Sequence, residues 1–576
     1  MRVPTLVSPE LQKRYGRVGR IVAIAGALLY TISPYFPWAY PRAALDNMTY
    51  LGAPSTVQFL GLSLGLLELL ALVGSHLSAK VARVRGKTYL LHRVAWNRAA
   101  RAGALGMLAF IAMIILTVTV ETGGLVNVEW GAWIALVAAV IAVAGSRFLL
   151  PGRESTLDRA PTVPVLEILT IAALLGGGLF GLAFALDQEE GGTFVVLLVH
   201  IAVMVTIALR SGVGAWLSLA GQRHRNVLVF SAFAVAFLFP FTQNGSDANM
   251  SIATQVLIFA ATAVGLNIVV GLAGLLDLGY IAFLGAGAFT AATLSESTFA
   301  TIGWKPPFIV VMIVAGLISA TLGLIIGSPT LRVSGDYLAI VTLAFGEIFR
   351  ITMNNLDGSD GPDLVHGSSG IPAIPNLNLF GFDFGAVHTV GGIPLGRFSN
   401  YFFLMLLIIA VIVLVFTRLN YSRIGRGWVA IREDERAAEA MGVNVFGLKL
   451  LAFAGGAFLA GFAGAVKAHV DVSVTPDQYI FLESAFLLAA IVLGGMGTVL
   501  GVIIGATLLK LVPEKLRFMS EYRMLIFGLL MVLMMRFRPE GMVANTRRQL
   551  EFHEDDEELA TEVDDDLPYE FAEERA

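Results

Sequence analysis

Few side chains in this sequence stand in patterns that chemistry requires. Gly86-Lys87-Thr88 ends like a phosphate loop, whose glycine-rich backbone cradles phosphates while a lysine reaches them. The full pattern needs glycine at position 81, where this chain has Val81, and no strand precedes it. If ATP drives the protein, another chain must therefore bind it. Gly61-Leu62-Ser63-Leu64-Gly65 fits G-x-S-x-G, the elbow that exposes a nucleophilic serine on a strand-to-helix turn. Here the stretch lies inside an apolar run of helical length, so small helix-contact residues are the simpler reading. An intramembrane hydrolase built on Ser63 is the rival. The eight histidines, at 76, 92, 200, 224, 366, 388, 469 and 553, never fall at H-x-x-x-H spacing, and the chain has no cysteine. Thiol catalysis, disulfides and cysteine-based metal sites are excluded; no metal, cofactor or catalytic residue is expected. Glu68, amid Leu66-Leu67-Glu68-Leu69-Leu70, is an ionisable group in an apolar run and so a functional candidate. A packing role, protonated or paired, stands beside it. His200 is expected to be hydrogen-bonded between helices.

Glu347 and Arg350 are three apart, close enough to pair on one helix face and so to lower the cost of lying near a membrane boundary. A gate or pathway element and a structural ion pair are both open. The stretch Gly425-Arg426-Gly427-Trp428-Val429-Ala430-Ile431-Arg432-Glu433-Asp434-Glu435-Arg436-Ala437-Ala438-Glu439-Ala440-Met441-Gly442 carries more. Good helix formers fill 429–441, and Gly442 is suited to end the helix. At about 100° per residue, Ile431, Ala438 and Met441 share one side, and Arg432, Arg436 and Glu439 another. A short amphipathic helix between two apolar runs suits docking into a partner's groove. Its near balance of acids and bases argues against a lipid-surface helix, which favours bases.

The elements that must hold these residues are membrane helices. The chain has 576 residues, 56% hydrophobic and 14% charged, with a mean hydropathy of +0.76; soluble domains carry about 25% charged residues. Runs near the ~20 residues that cross a bilayer appear at about 21–36, 57–77, 102–120, 130–146, 165–186, 193–211 and 227–241. Others follow at about 252–270, 279–296, 306–327, 336–353, 399–417, 449–468, 481–497, 498–512 and 521–537. The reading is an all-α polytopic membrane protein of about sixteen spans, the glycine-rich pair around 494–505 being a candidate broken or re-entrant segment. Lys13, Arg14, Arg17 and Arg20 precede the first run as in a signal peptide, but no small-residue cleavage site follows, so a retained span is expected.

Bases crowd alternate loops: Lys80, Arg83, Arg85, Lys87, Arg93, Arg98 and Arg101 in one; Arg147, Arg153 and Arg159 in another; Arg223 and Arg225 in a third. Arg418, Arg423, Arg426, Arg432 and Arg436 fill a fourth. With sixteen spans these loops and both termini share one side, cytoplasmic by the positive-inside rule; Lys515, Arg517 and Arg523 run against it. The net charge of −4 splits in two: 551–576 holds thirteen acids and one base, Arg575, leaving 38 Lys+Arg against 30 Asp+Glu before it. The tail 544–576 is read as disordered and solvated. The basic body carries the topology signal, with the lipid bilayer as its partner and no nucleic acid expected. Residues 1–245 form a first block of seven runs. Residues 246–543 form a second, where glycines recur at helix-packing spacing: Gly323/Gly327, Gly497/Gly501, Gly501/Gly505, and Gly456/Ala460/Gly464.

Ordered motifs in the second block resemble the LivM-type permease subunit of bacterial branched-chain amino acid ABC importers. They are Gly265-Leu266-Asn267-Ile268-Val269-Val270-Gly271, Gly274-Leu275-Leu276-Asp277-Leu278-Gly279-Tyr280 and Gly285-Ala286-Gly287-Ala288. Leu331-Arg332-Val333-Ser334-Gly335-Asp336 through Thr342-Leu343, Gly346-Glu347-Ile348, Leu493-Gly494-Gly495-Met496-Gly497-Thr498 and Arg538-Pro539-Glu540-Gly541 complete the set. Segment 430–442 looks like the family's EAA-type loop. The resemblance covers about 252–543 and implies a subunit of an importer in the bacterial plasma (inner) membrane. Its implied partners are a LivH-like second permease, two cytoplasmic ABC ATPase subunits and an extracytoplasmic solute-binding protein. It also implies that Arg432, Glu433, Asp434, Glu435, Arg436, Ala438, Glu439 and Gly442 couple to the ATPases. Asn267, Asp277, Tyr280 and Glu347 are expected along the pathway or its gates. The segment 354–398, with Asp357, Asp360, Asp363 and Asp383 against Arg397, is expected to help receive the binding protein; a flexible connector is the alternative. The family pattern includes neither the first block nor the acidic tail. Rival functions are a permease for urea or short amides and an ion-coupled secondary transporter. Ser63→Ala is expected to leave transport by the complete system unchanged; lost activity at a normal membrane level would revive the hydrolase.

Overall fold

The computed structural model describes residues 9–39, 56–85, 93–149, 155, 157, 163–187, 191–330, 337–359, 362–515 and 541–543, with scattered positions between 525 and 536. Segments 86–88, 331–336, 521–524, 538–540 and 544–576, and Asp360, lie outside the described residues. The chain divides into two compact units, Met1–Gln243 and Asn244–Ala576.

The first unit contains α1 (Pro9–Ile32), α2 (Thr56–Arg85), α3 (Trp96–Thr122), α4 (Trp130–Arg147), α5 (Pro164–Asp187), α6 (Gly191–Ser211), α7 (Val213–Arg223) and α8 (Arg225–Leu238). Helix α3 packs on α2, α4 and α6, while α1 lies along α4. The α1–α4 contact runs backbone to backbone: a Cβ on Gly26 would stand 2.8 Å from the Ala138 carbonyl oxygen. Ser63 sits in the unbroken helix α2 and donates to the Leu60 carbonyl at 2.7 Å. Its flanking glycines meet Trp38 and Thr31, as helix-contact residues do. Glu68 is buried against Gly103, and neither carboxylate oxygen has a hydrogen-bond partner among the described residues. His200 differs from expectation: its Nδ1 has no hydrogen-bond partner among them, and the ring stands edge-on to Phe110 at 5.8 Å.

The second unit contains α9 (Asp247–Asn267), a π-helical turn (Ile268–Leu272), α10 (Ile281–Thr293), α11 (Phe308–Thr330), α12 (Tyr337–Asn355) and α13 (Arg397–Asn420). It continues with α14 (Arg423–Glu433), α15 (Glu435–Ala440), α16 (Val445–Asp471), α17 (Phe481–Gly494) and α18 (Val499–Lys515). Between α12 and α13 lie two antiparallel hairpins, β1 (Asn378–Leu379) with β2 (Phe382–Asp383), and β3 (His388–Val390) with β4 (Ile393–Leu395). Helix α16 runs through the middle, against α9, α10 and α11. Small residues permit this: a Cβ on Gly464 would overlap the Leu284 carbonyl oxygen, and one on Gly461 would lie 2.7 Å from that of Ala315. Every residue of α10 is buried, as expected of a helix apolar on all sides.

Among the described residues twelve helices are long and apolar enough to cross a membrane, or thirteen if the bent pair Val213–Arg223 and Val227–Gln243 is one span. Three expected runs within the described residues are not among the twelve. The run at 279–296 becomes the 13-residue α10, because Leu272–Tyr280 leaves the helix first. The run at 498–512 becomes the 17-residue α18. The run at 227–241 belongs to the bent pair, which turns by 98°. The run at 521–537 lies largely outside the described residues. Around 494–505 the chain breaks between α17 and α18, and a Cβ on Gly501 would overlap the Gly494 carbonyl oxygen. Gly464→Ala is therefore expected to lower stability by about 1–3 kcal/mol, read as a lower melting temperature in detergent. Gly455→Ala on the same helix, where a Cβ meets nothing within 4 Å, is expected to be neutral.

Candidate functional site

The site forms where α9 stops short. Beyond Asn267 the helix widens into the π-turn, with Ala273 N–H donating to the Ile268 carbonyl at 3.1 Å, and then unwinds. Such insertions recur at functional positions in helices. Asn267, fully buried, accepts from the Gly497 N–H at 2.9 Å and donates to the Thr498 carbonyl at 3.3 Å. It thus ties the break in α9 to the break between α17 and α18. Residues 542 and 543 return to the same place: Met542 N–H donates to the Leu493 carbonyl and Val543 N–H to that of Gly494, both at 2.9 Å.

On the far side of the break, Asp277 Oδ1 accepts from the Gly279 N–H at 2.9 Å, and Leu278 N–H donates to the Thr342 hydroxyl at 3.0 Å. Asp277 Oδ2 has no hydrogen-bond partner among the described residues. Gly279 lies so close to α12 that a Cβ there would overlap the Thr342 carbonyl oxygen. The Tyr280 hydroxyl donates to the Gly456 carbonyl of α16 at 2.6 Å, and Ile281 N–H donates to the Ser484 hydroxyl of α17 at 3.0 Å. Asn267, Asp277 and Tyr280 are therefore all buried and turned toward backbone. In this conformation they fasten the junction.

Segment 423–442 lies against the same junction. One helix is expected over 429–441; two are present, broken at Asp434. That residue is extended, φ −152° and ψ 109°, and its carboxylate accepts from the N–H groups of Arg436 (2.9 Å) and Ala437 (3.0 Å). An aspartate satisfies orphan donors at a helix start better than it continues a helix, so the chain restarts there. Gly442 ends α15 with φ +82°, and Val443 N–H donates to the Ala438 carbonyl at 3.1 Å, a Schellman-type close. The break also re-aims the apolar stripe. Ile431 and Ala438 are buried, but Met441, expected to share their side, is 84% exposed.

Three side chains fix the segment. Trp428, buried, donates to the Leu448 carbonyl at 2.7 Å, and Lys449 of α16 pairs with Glu435 at 2.7 Å. Arg432 donates to the Gly271 carbonyl at 3.0 Å, and its aliphatic stem packs on Gly274, where φ is +72°. Arg432 also pairs with Glu433 at 2.6 Å. The guanidinium thus joins the surface segment to the unwound end of α9. Asp434, Glu435, Arg436 and Glu439 are exposed, with Ala437, Ala440 and Met441 among them.

Glu347 lies elsewhere. It pairs with Arg350 of the same helix, and Arg350 reaches Asp477 at 3.2 Å, at the chain reversal between α16 and α17. On that opposite face, the described residues 371–397 of the expected segment 354–398 are tied to α16 and to the chain after it. Ile371 and Val474 exchange backbone hydrogen bonds, and Arg397 donates to the His469 (2.7 Å) and Val470 (2.9 Å) carbonyls and to Asn376 (2.6 Å). Arg397 is a clamp here, and the segment is no slack connector. Among the described residues no group of three or more His, Asp or Glu could hold a metal ion.

Sequence reasoning missed Trp428, Lys449, Thr342 and Ser484. Trp428 and Thr342 lie in quoted stretches but carried no expected role, and Lys449 and Ser484 lie in none, because what each bonds is set by packing between segments. Asp434 was legible as a capping residue, being an aspartate ahead of a run of helix formers. Asn267→Ala is expected to cost about 1–3 kcal/mol, because it leaves the buried Gly497 N–H without its acceptor. A lower melting temperature in detergent is the expected readout.

Residues 249–535 match the family described as branched-chain amino acid transport system, permease component. The chain is 41% identical over 341 residues to the high-affinity branched-chain amino acid transport permease LivM of Escherichia coli, covering 57% of this chain and 76% of the relative. It is 24% identical over 307 residues to a probable LivM of Methanocaldococcus jannaschii, 48% of this chain and 83% of that one. The permease LivH of Salmonella typhimurium is 32% identical over 129 residues, 22% of this chain and 41% of LivH. No solved structure matches the chain significantly. Residues 1–248 fall outside the family match. With its helices of membrane-spanning length and its motifs gathered at one junction, the chain belongs to the LivM-type family of branched-chain amino acid transport permeases.

Proposed function

We propose that the protein is the permease subunit of an ATP-driven importer that carries branched-chain, hydrophobic amino acids across the bacterial plasma membrane. The observation that carries this reading is the segment 433–442, a mixed-charge surface with an exposed methionine, fastened by Arg432 to the end of a broken helix. A partner that pushes or pulls on α14 and α15 moves Gly271 with them. Through Asn267 the same motion reaches Gly497 and the α17–α18 break, so a cytoplasmic stroke becomes a change in the helix junction.

In this reading two ATPase subunits dock on the segment through Glu433, Asp434, Arg436, Glu439 and the apolar tip at Ala437, Ala440 and Met441. Ala438 and Gly442 keep the tip in shape. A LivH-like permease completes the pathway; the similarity to LivH fits a pair of related subunits. Asn267, Asp277 and Tyr280 act as the hinge of the gate, and Glu347 contributes from α12 near the other face. A binding protein delivers the solute to segment 354–398. Residues 1–245 are a membrane extension, 246–543 the permease domain and 544–576 a solvated tail, with both termini cytoplasmic.

Glu439→Lys is expected to abolish amino acid uptake without removing the protein from the membrane, because the exposed carboxylate faces the docking partner. Uptake at the normal rate in that variant would rule out docking through this segment.

A further inference from the structure

Four helices of the second unit bring charged side chains together at a place that the junction does not use. On α16, Lys467 and Asp471 stand one turn apart and pair, with side chains 16% and 17% exposed. Asp471 also accepts a hydrogen bond at 2.6 Å from Gln255 of α9. One turn along α9, the Phe259 ring lies under the ammonium of Lys510 from α18, 4.6 Å from its centroid. Lys510 pairs at 3.0 Å with Glu483 of α17, side chains 32% and 31% exposed. Gln255 and Phe259, at i and i+4, are neighbours about 5–6 Å apart on the helix surface, so the two ion pairs flank one short stretch of α9. Tyr479, one turn before Glu483, is buried within electrostatic range of Asp471, and its hydroxyl has no hydrogen-bond partner among the described residues.

Charged side chains on membrane-spanning helices face a bundle interior, a water-filled cavity or one another, because lipid solvates them poorly. These four are neither sealed inside the unit nor fully open. They form a half-open face with a cation and an anion at each end, the Phe259 ring being buried beneath Lys510. Asp471 ends α16 and Glu483 lies in the first turn of α17, so the face sits near the end of the bundle away from Arg432. A free α-amino acid carries an ammonium and a carboxylate on one carbon, and such a group needs an anion and a cation a few ångströms apart. Resting on the function proposed above, we infer that Lys467, Asp471, Glu483 and Lys510 form a contact station for the zwitterionic main-chain group of the amino acid in transit.

The test is the initial rate of radiolabelled leucine uptake in membrane vesicles carrying the complete transport system. Absent uptake in the wild type would remove the functional reading itself; with uptake present, the variants judge the station. Asp471→Asn and Lys510→Met are each expected to lower the rate about tenfold or more, at an unchanged level in the membrane. Exchanging the charges, Glu483→Lys with Lys510→Glu, preserves an ion pair but reverses its direction, and uptake is expected to stay low. Recovery to the wild-type rate would make the pair structural and overturn the inference. Should the single variants fail to accumulate, Asp471→Glu and Lys510→Arg keep each charge and displace it. They are expected to raise the KM for leucine severalfold, and an unchanged KM would overturn the station.

Discussion

The permease unit depends on close approach of helix backbones around α16. In a bilayer the helices gain little by hiding apolar side chains from lipid tails that are equally apolar, so van der Waals contact between backbones becomes the main cohesive force. Gly464 against Leu284, Gly461 against Ala315 and Gly287 against Gly461 leave no space for a Cβ. Two neighbours, α10 and α11, are thereby drawn onto one helix, and α10 is enclosed completely. Its enclosure explains why a 13-residue helix is stable there: its ends need satisfy neighbours, not span the hydrocarbon.

A bundle that tight would be rigid were its helices continuous, and the polar side chains mark where they are not. α9 widens and unwinds after Asn267, and the chain breaks again at Gly495–Thr498. Irregular backbone at membrane depth is tolerated only where protein satisfies its donors and acceptors. Asn267, Thr342, Ser484 and Tyr280 do that here, each bonding a main-chain group of another segment. Arg432 extends the network to the surface. Each break is thus held in a defined shape and joined to the other through Asn267, which suits two linked arrangements more than slack.

Much of this was legible before folding. Apolar run lengths predicted most helices, and the motifs marked α9, α10, the 430–442 segment and the glycine-rich turn as belonging together. What the motifs do to one another was not legible. Asn267 and Gly497 are 230 positions apart, and no local rule pairs them. Asp277 and Tyr280 read as polar groups at membrane depth, hence as candidates to line a path. The folded chain turns them toward backbone, since a buried polar atom takes whichever partner the break exposes. Met441 was placed on the side of Ile431 and Ala438 by an unbroken helical period, and the cap at Asp434 resets that period.

By itself, the sequence determined membrane residence, the positions of most helices, alternation of basic loops and family membership, because each depends on composition or spacing along one stretch. Only the tertiary structure decided which glycines touch, which carboxylates cap or pair, and that Arg432 grips the end of α9. It also gathered Gln255, Phe259, Lys467, Asp471, Glu483 and Lys510 from four helices onto one face. Such contacts are set by helix packing in three dimensions, where neighbours need share nothing in sequence.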